Sequence, residues 1–272
     1  MFNMDAFKLL EETVLECGNY AVERQKDIVR SYKSDGSVLT EADLHIDSRL
    51  RSAVRELFPD AAVISEETAT SSQAKVGKDG FCFVIDPIDG TDVYSQGLPS
   101  WCIAVGIIDA DYQPIGAVIY APRWGTVSGP SLLLTLYPGG RLLMNGEPLV
   151  PQEPAETARQ IVISSKTHRH FDLTGFLGKY RIFGSNILHL LSPVLYRNID
   201  AAVCTSGYIW DITAAHAILQ HCGLALEYYD RAEPFVYSPD NLNRSKGQGY
   251  LLAGSRQSCA MLRRELTLLS GT

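Results

Sequence analysis

The chain has 272 residues, a formal net charge of −7 and a pI of about 5.4. With 46% apolar and 20% charged residues it has the balance of a soluble globular protein, long enough for one domain or two closely packed ones. The acidic balance without any Lys/Arg run excludes a basic face gripping a nucleic-acid polymer, and no stretch approaches the roughly 18 apolar residues of a membrane span.

In chain order, Phe7, Leu10, Val14, Cys17 and Ala21 recur at helical spacing, which predicts a helix from Met4 to about Arg30. This N-terminal segment lacks the basic start and apolar core of a signal peptide, so the expected location is cytoplasmic. Thr40, with Asp43 three positions on, reads as a capping box opening a second helix that runs through Leu44, Asp47, Leu50 and Val54 to Phe58 and halts at Pro59. A short strand, Ala62 to Ile64, leads into Glu66 and Glu67, and the polar segment 68–80 reads as a mobile loop. Phe81 to Ile85 form a continuous apolar run of strand length. Asp86 stands where that strand stops, Pro87 blocks further pairing, and Asp89-Gly90-Thr91 turns the chain into the next element. Trp101 to Ile108 and Ile115 to Tyr120 predict two antiparallel strands joined by a turn over Asp109 to Pro114. Further strands are expected near Thr126 to Ser128 and Leu132 to Leu136, with a turn at Pro138-Gly139-Gly140.

The Pro- and Glu-rich region Asn145 to Arg159 marks the expected boundary between an α+β half (1–145) and an α/β half (146–272). Beyond it the elements alternate: a strand at Gln160 to Ser164, a helix after His170, a strand at Tyr180 to Phe183, a helix from Asn186 to Tyr196, and a strand from Ala201 to Thr205. A helix from Ile212 to Cys222 ends at Gly223, strands follow near Leu224 to Tyr228 and Tyr250 to Ala253, and a last helix ends near Leu269. The six cysteines lie far apart and form no CxxC, so they read as reduced and mostly buried. No histidine pair has zinc spacing, and His216, inside a predicted helix, reads as a structural residue.

The chemistry sits in four acids at element ends: Glu66 after a strand, Asp86 and Asp89 three apart, and Asp211 after Trp210 at a helix start. Singly each has an ordinary account, as a solvated loop acid, a turn residue or a helix-cap acid. An unpaired buried carboxylate costs several kcal/mol, so two acids closing a core strand call for a positive partner. Hard divalent cations such as Mg²⁺ take carboxylate and carbonyl oxygens and leave positions open for water and phosphate.

Glu66-Glu67, then Asp86-Pro87-Ile88-Asp89-Gly90-Thr91 after an apolar strand, then Trp210-Asp211 far downstream, resemble the inositol monophosphatase family of Mg²⁺-dependent, lithium-sensitive phosphatases. Lys33 to Asp43, Gly184-Ser185 and Asn145-Gly146 extend the resemblance over roughly residues 5–260. It implies an α+β / α/β protein, a layered αβαβα sandwich of the sugar-phosphatase type, with two or three Mg²⁺ per active site and, as in many members, a homodimer. Glu66, Asp86 and the Ile88 carbonyl then resemble ligands of a first ion, Asp86, Asp89 and Asp211 those of a second, and Glu66 again one of a third. Thr91 resembles the residue that orients the attacking water, with Asp43 as its partner. The N–H groups of Gly90 and Thr91 would hold phosphate oxygens at a helix N-terminus, with Gly184, Ser185 and Asn186 beside the substrate.

The implied reaction is hydrolysis of a small phosphorylated metabolite by metal-activated water. Three positions depart from the inositol-specific pattern: Cys204 replaces a substrate-binding glutamate, and Asn186 and Val93 replace other usual residues. Bisphosphate nucleotidase, fructose-1,6-bisphosphatase and histidinol-phosphatase activities stay open beside inositol monophosphatase, as does a non-catalytic phosphate-binding role. For Lys33 the alternatives are a plain surface lysine or an electrostatic contribution to the metal site. Lys166, His168 and Arg169 either approach the substrate or belong to a solvated loop.

Overall fold

The structure is a computed structural model that describes residues 2–68, 76, 80–125, 129–150, 159–205, 207–242 and 249–269. The first half contains α1 (Met4–Arg24), β1 (Arg30–Tyr32), β2 (Val38–Thr40), α2 (Glu41–Leu57), β3 (Ala62–Ser65), β4 (Cys82–Asp89), α3 (Thr91–Ser95), β5 (Cys102–Ile108), β6 (Pro114–Ala121), β7 (Leu132–Leu136), β8 (Leu142–Met144) and β9 (Glu147–Pro148). The second contains β10 (Gln160–Ile163), β11 (Phe171–Asp172), β12 (Lys179–Arg181), α4 (Asn186–Leu195), β13 (Ala201–Thr205), α5 (Ile209–His221), β14 (Ala225–Tyr228), α6 (Pro239–Leu242), β15 (Tyr250–Gly254), α7 (Arg256–Glu265) and β16 (Thr267–Leu268).

Two sheets organise these elements. The larger has the order β3-β4-β5-β6-β7-β8-β9, parallel at β3–β4 and antiparallel elsewhere. The smaller has the order β12-β10-β13-β15-β14, parallel across its first three strands and antiparallel beyond. Successive side chains of a strand point to opposite faces, and β4 serves two cores in this way. Phe83 and Ile85 meet Phe7, Leu10, Ile46 and Leu50 of α1 and α2, while Val84 faces the core built on α4 and α5. Val162, Ala202 and Leu251 of the smaller sheet join that second core. α7 then covers the far face of the smaller sheet, placing Cys259 and Leu262 on Ile161, Val203 and Leu252. The order is helix, sheet, helix, sheet, helix, the αβαβα sandwich expected of the sequence. α5 is apolar nearly all round because it lies between two sheets.

Several elements differ from expectation for identifiable reasons. α1 stops at Arg24, because Gln25 turns away to donate its side-chain amide to the carbonyls of Tyr94 and Leu98. Arg30–Tyr32 then pair with Val38–Thr40 as a hairpin. β4 does not stop at Asp86 but continues through Pro87 to Asp89. Asp86 opposes Ala104 and Asp89 opposes Cys102, so the strand gains one residue there, and a bulge is where a strand tolerates proline. α5 begins at Ile209 rather than Ile212, which makes Asp211 its third residue. No helix follows His170. Phe171–Asp172 instead pair with Thr267–Leu268, so α7 ends at Glu265 and the chain beyond it is extended. Residues 126–128 and most of 68–80 lie outside the described residues.

Candidate active site

The bulge at the end of β4 aims Asp86 and Asp89 toward the N-terminus of α5. Carboxylate oxygens of Asp86, Asp89 and Asp211 lie within 4.8 Å of one another. They share a cavity of about 630 Å³ with Glu66, Ile88, Gly90, Thr91, Gly184 and Asn186. The structure thus brings together residues that are far apart in sequence and sit at the ends of β3, β4, α4 and α5.

Asp86 is the unusual member. It is fully buried, and neither of its carboxylate oxygens has a hydrogen-bond partner. Burial, and next the neighbouring Glu66, Asp89 and Asp211 charges, push its carboxyl well above the usual carboxylate range. Asp211 is raised in the same way, by burial first and then by Asp89 and Glu66, although the Tyr208 N–H donates to its Oδ2 at 2.5 Å. Asp89 is better supplied. The Ser185 hydroxyl donates to its Oδ2, as does Ile187 N–H at 2.7 Å, and Asn186 N–H donates to Oδ1 at 3.3 Å. Burial still lifts it to about 6. A divalent cation fits this arrangement: it would give Asp86 the positive partner that the protein itself does not.

Asp43 is fully buried beside Thr91 and divides its two oxygens. Oδ2 accepts Thr40 N–H at 2.8 Å and the Thr40 hydroxyl at 2.5 Å, closing the capping box of α2. Oδ1 lies 3.1 Å from the Thr91 hydroxyl, which is also 2.9 Å from the Ile88 carbonyl. Burial is the main reason that Asp43 rises to about 6. Gly90 takes φ +91 as N-cap of α3, and a Cβ there would lie 3.1 Å from Val93 and 3.3 Å from the Ser100 carbonyl.

Sequence reasoning left Lys33 undecided and gave Glu67 no role. Lys33 Nζ lies 2.7 Å from Glu66 Oε1 and 2.7 Å from Glu67 Oε1, with all three side chains largely buried. Burial pushes the ammonium down, but the two carboxylates outweigh it and raise its pKa. The Glu66-Glu67 pair was the available signal, since two adjacent acids at a strand end need a counter-charge. Ser185 is fully buried, and besides donating to Asp89 its oxygen accepts Leu188 N–H at 3.1 Å, capping α4. Asn186 lines the cavity, accepts the Ser164 hydroxyl at 3.2 Å through Oδ1 and hydrogen-bonds Asp211. Cys204 is buried, with Sγ 4.0 Å from the Asn186 carbonyl, and Val93 packs at the cavity wall. Lys166 lines the cavity, while His168 is exposed and its Nδ1 lies 3.0 Å from the Ser165 carbonyl. His216 is structural as expected, buried and 3.1 Å from the Tyr237 hydroxyl, with burial lowering it to about 4.

The sequence model of the inositol monophosphatase family matches residues 8–259. The chain is 31% identical over 87 residues to an inositol-1-monophosphatase of Synechocystis sp., a match covering 32% of this chain and 29% of that protein. It is 28% identical over 211 residues to a fructose-1,6-bisphosphatase/inositol-1-monophosphatase of Thermotoga maritima, covering 74% of this chain and 75% of that one. In fold it is similar to the crystal structure of an IMPase/NADP phosphatase complexed with Mg²⁺ and phosphate, with a TM-score of 0.74 at 16% identity over 97% of this chain and 95% of the other.

Proposed function

Since the chain belongs to the inositol monophosphatase family and is a phosphatase, we propose that it is a Mg²⁺-dependent phosphomonoesterase acting on a small phosphorylated metabolite. The observation that carries this reading is Asp86, a buried carboxylate with both oxygens unpartnered beside two further acids. Glu66, Asp86, Asp89, Asp211 and the Ile88 carbonyl would hold the ions, two or three in number. Bound Mg²⁺ supplies the positive charge that admits an anionic ester to an acidic cleft and makes water acidic enough to attack near neutral pH.

The protein's own groups do the rest. Thr91 orients the attacking water through its hydroxyl and relays the proton toward Asp43 Oδ1, 3.1 Å away. A carboxyl raised to about 6 suits that task, because a general base works best with a pKa near the operating pH. Gly90 and Thr91 direct backbone N–H groups at the phosphate oxygens. Gly184 and Asn186 form the wall that the leaving group meets, and Ser185 acts from beneath by fixing Asp89. Glu67 acts through Lys33, which keeps Glu66 in place.

All six cysteines are unpaired, which suits a reducing cytoplasm. Among the described residues no helix is long and apolar enough to cross a membrane. The test is phosphate release across about twenty phosphorylated metabolites, with Mg²⁺ and with a chelator. Mg²⁺-dependent release that Li⁺ inhibits is expected; no release from any of them overturns the assignment.

A further inference from the structure

Besides the acids, one buried side chain breaks a rule of packing. His189, the fourth residue of α4, is 1% exposed, yet its Nδ1 has no hydrogen-bond partner among the described residues. An apolar side chain would avoid the cost of burying that polar atom, so the other ring nitrogen has to account for the residue. Nε2 accepts two backbone donors, Phe183 N–H at 2.9 Å and Gly184 N–H at 3.1 Å. Neither of these N–H groups has a backbone acceptor among the described residues, because the chain has left β12 and not yet entered α4. Only a neutral ring with its proton on Nδ1 leaves Nε2 a lone pair for them. Burial keeps the ring neutral by lowering its pKa to about 3.

The turn held in this way leads directly into the groups that serve Asp89. Ser185 follows Gly184 and donates its hydroxyl to Asp89 Oδ2, and the N–H groups of Asn186 and Ile187 come next. The Ser100 hydroxyl donates to the Phe183 carbonyl, so His189 and Ser100 hold successive backbone groups of one turn. Gly184 takes φ +108, and a Cβ there would collide with Val93 of α3, so the turn is pressed against the segment that follows Gly90.

We propose that His189 is a positioning residue for the metal centre: its imidazole pins the Phe183–Gly184 turn, and the turn sets the three donors that orient Asp89. It acts through the backbone and not by contact with the ions. This role rests on the phosphatase reading, in which Asp89 is a metal ligand, and deepens it. Side chains that hold metal ligands in place typically contribute about ten- to a hundredfold in metal affinity or activity. His189 stands one hydrogen bond further out, which puts its effect at the lower end.

The experiment is calorimetric titration of the substrate-free protein with Mg²⁺, with phosphate release measured in parallel. Leucine at 189 keeps the volume and removes the acceptor, asparagine is too short to reach the turn, and glutamine can place Oε1 where Nε2 stands. His189→Leu and His189→Asn should each raise the Mg²⁺ dissociation constant about tenfold and lower kcat similarly, whereas His189→Gln should stay within about threefold of wild type. Should leucine unfold the chain, asparagine carries the comparison. Ser185→Ala should also weaken Mg²⁺ binding, and adding the substitution at 189 to it should cost much less than that substitution alone, since both act on Asp89 through Ser185. Unaltered Mg²⁺ affinity in His189→Leu and His189→Asn, an equal loss in His189→Gln, or full additivity with Ser185→Ala overturns the role of His189 and leaves the phosphatase reading standing. A wild-type protein that neither binds Mg²⁺ nor releases phosphate overturns the phosphatase reading itself.

Discussion

Asp86→Asn should make the metal-free protein more stable while abolishing its response to Mg²⁺. Carboxylate oxygens of Asp86, Asp89 and Asp211 lie within 4.8 Å of one another. Two ionised carboxylates at that separation repel by about 3.5 kcal/mol at an effective dielectric constant of about 20. Burial first, and then the neighbouring carboxylates, raise Asp86 and Asp211, so protonation of either relieves part of this repulsion. Asparagine removes the charge, keeps the shape, and adds an N–H₂ that can donate to Asp89 or Asp211. A net gain of about 1–3 kcal/mol is expected, which raises Tm by about 2–4 °C per kcal/mol in a chain of this size. The assay is thermal unfolding at pH 8, in chelator and then in Mg²⁺. Wild type should gain about 2.7 kcal/mol at a hundredfold excess of Mg²⁺ over Kd, and Asp86→Asn should gain almost nothing and release no phosphate. A lower Tm than wild type in chelator would mean that the fold already satisfies the Asp86 charge, and an undiminished Mg²⁺ shift would mean that the ion binds elsewhere. Either result refutes the argument.

Other outcomes follow from the same geometry. Burial raises Asp43 and Asp89 to about 6, so between about pH 4 and 6 the native state binds more protons than the unfolded one and the metal-free protein loses stability as pH rises. Melting curves with and without Mg²⁺ should therefore separate above pH 6 and converge near pH 4, and a constant gap would contradict this. Thr91→Val should lower kcat by about 10²–10³-fold with Thr91→Ser retaining most of it, and steady-state kinetics showing an unaltered Thr91→Val would remove the relay. Gly106→Ala would place a Cβ 2.6 Å from Thr213 Cγ2 and 2.7 Å from the Ala214 nitrogen of α5. The helix carrying Asp211 must then shift, at a cost of about 1–3 kcal/mol with loss of activity, and an unchanged Tm and rate would show that α5 has slack.

Most of the fold was readable where local signals agreed. Thr40 and Asp43 announced α2, and the apolar runs over 81–85, 101–108 and 115–120 announced three adjacent strands. The misreadings occur where a distant partner decides. Nothing near Arg24 reveals that Gln25 will bind the carbonyls of Tyr94 and Leu98, about seventy residues on. Nothing after His170 announces Thr267–Leu268 as its strand partner, with Leu269 N–H donating to the His170 carbonyl at 2.8 Å. Pro87 suggested a strand end because the rule against proline in ladders is local, while the bulge that admits it depends on β5. The acids could be picked out by type and spacing. That Lys33 is the partner of Glu66 and Glu67 could not, since a lysine in a loop reads the same whether or not its neighbours in space are acidic.

The ordinary account of these acids is compatible with the function proposed for them. Asp43 caps α2 through Thr40 N–H, Asp211 caps α5 through Tyr208 N–H, and Asp89 receives the first N–H groups of α4 at Asn186 and Ile187. Three helix N-termini therefore meet these acids, each contributing backbone N–H donors and the positive end of its dipole. Those donors are part of how a chain of net charge −7 holds several buried carboxylates side by side. Asp86 alone lies at a strand bulge instead of a helix start, and Asp86 alone has no donor. The capping that made Asp43, Asp89 and Asp211 look structural holds them in place. The one acid left without a cap is where the fold leaves most to be gained by a cation.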